Sequence, residues 1–254
     1  PTTVFYSGQA YAADEGLLAE GVPYGGRQPM IQWSWEGLKV AFIRVSGEGD
    51  FGILYPNEDL SFDYAAGEGL AGDVDVYLPK FEVSYHLGAD MWFMDVAAGI
   101  QTYKVSDPLD RFGSQNINSG LVMIGGGMNF GPTYIKGQAY YGQNVGSYGL
   151  YNHDEEFWGT PIINPTGQVG ADPLFTQSAS DSVLKANFDA EGNPSYDIED
   201  TQTLGLVAVV GFKINDMFTI EGGYGYIYGE DDLPSPATSD QKEDDATAYY
   251  IQFP

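Results

Sequence analysis

Residues 80–103, KFEVSYHLGADMWFMDVAAGIQTY, constrain the fold more than any other stretch. Phe81, Val83, Tyr85 and Leu87 alternate with Lys80, Glu82, Ser84 and His86. After a break at GADM, Trp92, Met94, Val96, Ala98 and Ile100 alternate with Phe93, Asp95, Ala97, Gly99 and Gln101. A period of two marks strands with two unlike faces. Setting Leu87 opposite Trp92 brings Tyr85 to Met94, Val83 to Val96 and Phe81 to Ala98. One register thus collects the apolar residues on one face and the polar ones, Asp95 included, on the other. Each arm has about ten residues, the length that a tilted strand needs to cross a bilayer.

The pattern recurs. PMIQWSWEGLKVAFIRVS reads as a hairpin turning at Glu36-Gly37. Trp35 then pairs with Leu38, Trp33 with Val40 and Ile31 with Phe42, and Arg44 falls on the apolar face. A second hairpin covers about 119–142 and turns at Gly131-Pro132. Pairing Phe130 with Thr133 sets Met128, Ile124, Val122, Ile135, Ala139 and Tyr141 on one side. On the other, Gly127 faces Lys136, Gly125 faces Gln138 and Met123 faces Tyr140. A third hairpin, 202–228, sets Leu204 to Phe212 against Phe218 to Tyr226 across a turn at Ile214-Asn215-Asp216. Residues 2–11 alternate loosely, and Tyr249, Ile251 and Phe253 share one side of a final strand. The expectation is ten strands in a single β domain covering 1–254.

Short turns and long connections alternate strictly along the chain. The turns fall near 36–37, 88–91, 131–132 and 213–217. The long connections fall at 12–28, 47–79, 104–118, 143–201 and 229–246. These connections hold 30 of the 36 acids. A structureless loop near sixty residues is out of place in a compact soluble domain. It is ordinary on the outer side of a transmembrane barrel, where long loops oppose short turns. No apolar run reaches the ~18 residues of a membrane helix. The mean hydropathy of −0.23 does not weigh against spanning strands, because alternation cancels in any average.

Charge narrows the function classes. Ten bases against 36 acids give a net charge of −26, which excludes a phosphate-backbone partner. No cysteine is present, so thiolate metal sites and Cys nucleophiles are excluded. The acidic clusters Asp73-Val-Asp75, Glu230-Asp231-Asp232 and Glu243-Asp244-Asp245 offer oxygen ligands for Ca²⁺ but lack ligand-loop spacing, and solvated runs explain them better. No cofactor is expected. His153-Asp154-Glu155-Glu156 is the one enzyme-like stretch, with no serine elbow, HExxH or phosphate loop beside it.

Taken with FYSGQAY and GGRQPMIQWSW near the start, these residues resemble a Gram-negative outer-membrane porin of the large, trimeric, sixteen-stranded type. The resemblance is nearest to porins related to dicarboxylate-type channels. It covers the whole chain in pattern and about 1–45 in motif. It implies an all-β, transmembrane, antiparallel up-and-down barrel with short periplasmic turns and long acidic extracellular loops. The chain then looks truncated at both ends, and a closed ten-stranded barrel is the alternative count. The implied function is passive diffusion of small hydrophilic solutes or ions through the bacterial outer membrane, without chemistry. A homotrimer and contacts with lipid and lipopolysaccharide are implied as partners. The loop bearing Asp14, Glu15, Glu20 and Arg27 would fold into the lumen as a constriction. Inward candidates from the alternation are Lys39, Lys80, Glu82, His86, Asp95, Gln101, Lys136, Gln138, Tyr140 and Glu221. Any one of them is as well explained as a hydrated wall position. Two alternatives remain open: a ten-stranded outer-membrane protease or hydrolase, and a barrel that only anchors or adheres.

Overall fold

The computed structural model describes residues 29–44, 55–56, 62–63, 73–106, 114–145, 161–163, 169–173, 183–188, 194–215, 217–231 and 243–253. Strands make up all the long elements among them. The first are β1 (Met30–Trp35), β2 (Leu38–Ile43), β3 (Tyr55–Pro56), β4 (Phe62–Asp63) and β5 (Asp73–Asp75). Next come β6 (Lys80–Ala89), β7 (Trp92–Ser106), β8 (Ser114–Phe130) and β9 (Thr133–Gln143). Then follow β10 (Pro161–Ile163), β11 (Val169–Pro173), β12 (Val183–Phe188) and β13 (Pro194–Glu199). The last are β14 (Thr201–Asn215), β15 (Phe218–Asp231) and β16 (Glu243–Gln252).

One antiparallel sheet carries the architecture, in the order β1-β2-β6-β7-β8-β9-β14-β15-β16, with β5 paired to the far end of β7. Neighbours in sequence along this path are neighbours in space, so the sheet is a simple up-and-down meander. The strand expected at 2–11 lies outside the described residues.

Turn chemistry fixes the register. Glu36 and Gly37 both have positive φ, 43° and 89°, the two-residue form that matches strand twist. A Cβ on Gly37 would sit 2.5 Å from the His86 carbonyl oxygen, so glycine is required there on two counts. Gly131, at φ 65°, precedes Pro132, the first-position glycine of the other common hairpin turn. Both hairpins pair as the alternation predicts, with Trp35 opposite Leu38 and Phe130 opposite Thr133.

The hairpin 80–106 differs from expectation by two residues. Ala89, not Leu87, opposes Trp92, and Asp90-Met91 alone makes the turn. Tyr85 therefore meets Val96, and Val83 meets Ala98. Gly88 suggested a wider break, but no positive φ is used here and the strand runs through it. Two residues is a full pleat, so the faces are unchanged.

The strands also run further than the apolar pattern. Residues 104–106 and 114–118, expected as loop, continue the ladder between β7 and β8, with Lys104 opposite Asn116. Once past hydrocarbon a strand needs no apolar face, so periodicity in hydropathy ends before the ladder does. The connections expected to be structureless hold strand pairs of their own: β3 with β4, β10 with β11 and β12 with β13.

Following one row of pairs shows the tilt. Leu38, Tyr85, Val96, Ile124, Ala139, Leu206 and Tyr226 lie side by side. Leu38 adjoins its short turn. Val96 stands four residues from Trp92, Ala139 six from Thr133 and Tyr226 eight from Phe218. At about 3.3 Å per residue and 4.8 Å between strands, eight residues over six steps mean strands tilted roughly 40° if the turns share a plane. That is the tilt of a transmembrane barrel wall.

Burial is inverted relative to a soluble protein. The aliphatic and aromatic face is uncovered: Ile31 is 79% exposed, Trp33 55% and Val210 50%. The opposite face, which carries the polar residues, is where Lys80, Glu82, Gln101, Ser119, Gln138, Thr203 and Glu221 are buried. In water such an apolar surface would be a large unpartnered patch; against lipid it is the face that the solvent requires. Trp33, Trp35, Trp92, Phe130 and Phe218 ring this face next to the short turns, the position of an interfacial aromatic belt.

Candidate functional site: the inner wall

The inward positions are the odd residues of β7, β8, β14 and β15 and the even residues of β6 and β9, as burial and pairing together show. Nearest the short turns the wall is charged. His86 and Asp95 are directly paired across β6 and β7, and the imidazole Nδ1 donates to Asp95 Oδ1 at 2.6 Å. The two-residue difference in register makes this contact: the expected pairing put His86 against Phe93. Phe93 instead stacks on the imidazole at 6.3 Å between centroids.

Four strands away, Glu221 accepts from three donors. Tyr134 Oη reaches Oε2, while Tyr250 Oη and Gln252 Nε2 each reach Oε1 at 2.6 Å. Lys136 Nζ stands 5.3 Å from the Tyr134 ring centroid, close enough for a cation–π contact. Tyr134, Gly211, Glu221 and Gln252 form one row across β9, β14, β15 and β16. The glycine explains how Tyr134 crosses a strand to reach Glu221: a Cβ on Gly211 would overlap the phenol ring.

Among the described residues the same device appears four times. Phe93 lies over Gly127, Tyr134 over Gly211, Tyr140 over Gly205 and Tyr250 over Gly223, each aromatic directly opposite its glycine. Rings laid flat on bare backbone keep bulk out of the lumen and cover strand positions that have no side chain to pack.

Nearer the long connections the wall is enclosed. Lys80 Nζ and Glu82 Oε1 lie 3.2 Å apart, both side chains 0% exposed. Gln101 faces Ser119, and both are buried. Asn144, at φ 52°, donates through Nδ2 to the Asn118 carbonyl at 2.9 Å and to Asp200 Oδ1 at 2.7 Å, tying the end of β9 to the start of β14. The inward face is also partly apolar: Ala97, Leu121, Met123 and Tyr140 cluster with Val145, and Val207, Val209 and Ile227 are buried on the neighbouring strands.

The inward candidates are thus dispersed by height. Lys39 is exposed on β2 opposite Ser34 and Ser84, at the short-turn mouth. His86, Asp95, Lys136 and Glu221 lie above it. Gln138 comes next, Tyr140 and Glu82 share the level above, and Lys80 and Gln101 are furthest from the turns. Asp14, Glu15, Glu20 and Arg27 lie outside the described residues, as does the His153-Asp154-Glu155-Glu156 stretch. Tyr134, Tyr250 and Gln252 were not singled out from sequence; the signal was their direct pairing to glycine or to Glu221, visible only with the register of β14, β15 and β16. Among the described residues no group of three or more His, Asp or Glu is placed to hold a metal ion.

No family model matches the chain, and no curated protein matches it. Among solved structures, the outer membrane channel DcaP of Acinetobacter baumannii superposes with a TM-score of 0.54 and 12% identity, over 99% of this chain and 70% of that one. A porin refined at 1.8 Å overlaps 88% of this chain and 80% of its own at 13% identity, but its TM-score of 0.23 carries no argument. The chain shares the fold of the DcaP channel, an antiparallel up-and-down β wall.

Proposed function

We propose that this wall encloses a water-filled pore for passive diffusion of small hydrophilic solutes or ions, with no chemistry on the solute. One observation carries the proposal: the apolar face is the uncovered one, and Lys80, Glu82, Asp95, Lys136 and Glu221 lie on the other. A sheet built so has hydrocarbon outside and a polar passage within. Discrimination then comes from bore and from fixed charge along the wall. The short turns face the periplasm and the long acidic connections the exterior, where carboxylates would draw cations toward the mouth. Three copies would form the working unit, with lipid and lipopolysaccharide against the outer face; both follow from the sequence resemblance.

Purified protein in planar lipid bilayers provides the test. Stepwise openings with a linear current–voltage relation are expected. A membrane that stays silent despite verified insertion would remove the pore and leave an anchoring barrel.

A further inference from the structure

The tilt of the sheet changes which side chains share a level. Rows of paired residues climb relative to the short turns, so equal height is measured by distance from each strand's own turn. His86 is three residues from Ala89, Asp95 three from Trp92, Lys136 three from Thr133 and Glu221 three from Phe218. These four come from β6, β7, β9 and β15, and in pairing terms they occupy three different rows. In height they coincide, about 7 Å above the ring of short turns.

The intervening strands leave the level open. β8 contributes Gly127, likewise three residues from Phe130, and β14 contributes Gly211 one residue higher; Phe93 and Tyr134 lie flat over them. Solvent reaches the level on the β6–β7 side, where the His86 side chain is 40% exposed and that of Asp95 15%, while Glu221 is buried beneath its three donors. Lys39 and Lys213 are one and two residues from their turns, at the rim below.

We propose that Asp95, Lys136 and Glu221, with His86 holding the Asp95 carboxylate in place, form a level belt of fixed charge at the short-turn mouth that sets which ions pass. The proposal rests on the pore and deepens it by locating ion discrimination away from the long connections. Charges at one height act on a permeating ion together, whereas the same charges spread along the axis act in turn.

Reversal potentials in a KCl gradient across planar bilayers test the belt. Asp95→Asn and Glu221→Gln, which keep the shape of the hydrogen-bonding groups, should each lower the K⁺/Cl⁻ permeability ratio about twofold. Lys136→Gln should raise it by about the same factor, and its opposite sign guards against a general loss of structure. Lys104→Gln, on the outer face, should leave it unchanged. Normal openings with wild-type ratios in all three belt variants would overturn the belt and spare the pore; silence from the wild-type protein would overturn the pore itself.

Discussion

Gly211 and Tyr134 allow a sharp test of how the inner wall is built. Adding a methyl group at Gly211 forces the Tyr134 ring off its seat, because the new Cβ would overlap the phenol. The ring can swing aside, but Tyr134 Oη then leaves Glu221 Oε2. A hydrogen bond to a carboxylate contributes about 1.5–3 kcal/mol. Replacing glycine by alanine in an extended segment returns about 0.5–1 kcal/mol through the unfolded chain. Gly211→Ala should therefore destabilise by about 1–2 kcal/mol. In a Tyr134→Phe background the bond is already gone, and the same change should cost less than about 0.5 kcal/mol. Reversible urea unfolding in lipid vesicles, run as a double-mutant cycle, measures the difference. Equal costs for Gly211→Ala in both backgrounds would refute the idea that this glycine exists to let Tyr134 reach Glu221.

Other expectations follow from the two faces. Val96→Arg, on the lipid side four residues from its turn, should cost about 2–4 kcal/mol, whereas Ser84→Arg, inward on β6, should cost under about 1 kcal/mol; equal values in urea titrations would overturn the assignment of faces. Glu82→Leu takes the carboxylate away from buried Lys80 and should destabilise the fold, yet Lys80→Met with Glu82→Leu should restore most of the loss, as measured by the same unfolding midpoint. Gly131→Ala puts a side chain at φ 65° and should cost about 1–2 kcal/mol. Neutralising Asp14, Glu15 and Glu20 together should lower cation preference if that loop narrows the pore; an unchanged reversal potential would remove it from the constriction.

The sequence declared the sheet well because lipid enforces alternation. Trp33, Val40, Ile124 and Ile135 sit on the face their spacing assigns, and two of the four short turns announce themselves by Glu36-Gly37 and Gly131-Pro132. It was silent where that pressure stops. Lys104, Asn116 and Asn118 extend the ladder beyond the apolar band, where hydropathy has no period to show. Leu121, Val207 and Ile227 face inward among apolar neighbours on both sides, so alternation could not flag them. The contacts around Glu221 needed the register of four strands, three of them separated from the first by the long connection before Thr201. Asp90-Met91 lacks a glycine, and that alone misplaced His86 by one pleat.

That misplacement has a physical counterpart in the protein. A hairpin that slipped by two residues would still show grease to lipid and polar groups to water, so the bilayer would accept it. It would nonetheless raise or lower Asp95 by about 5 Å relative to Lys136 and Glu221. Insertion and electrical pattern are thus guarded by different parts of the chain: parity protects the first, and a few residues at the tips of the hairpins protect the second. Errors at those tips would yield proteins that insert normally and conduct with altered preference.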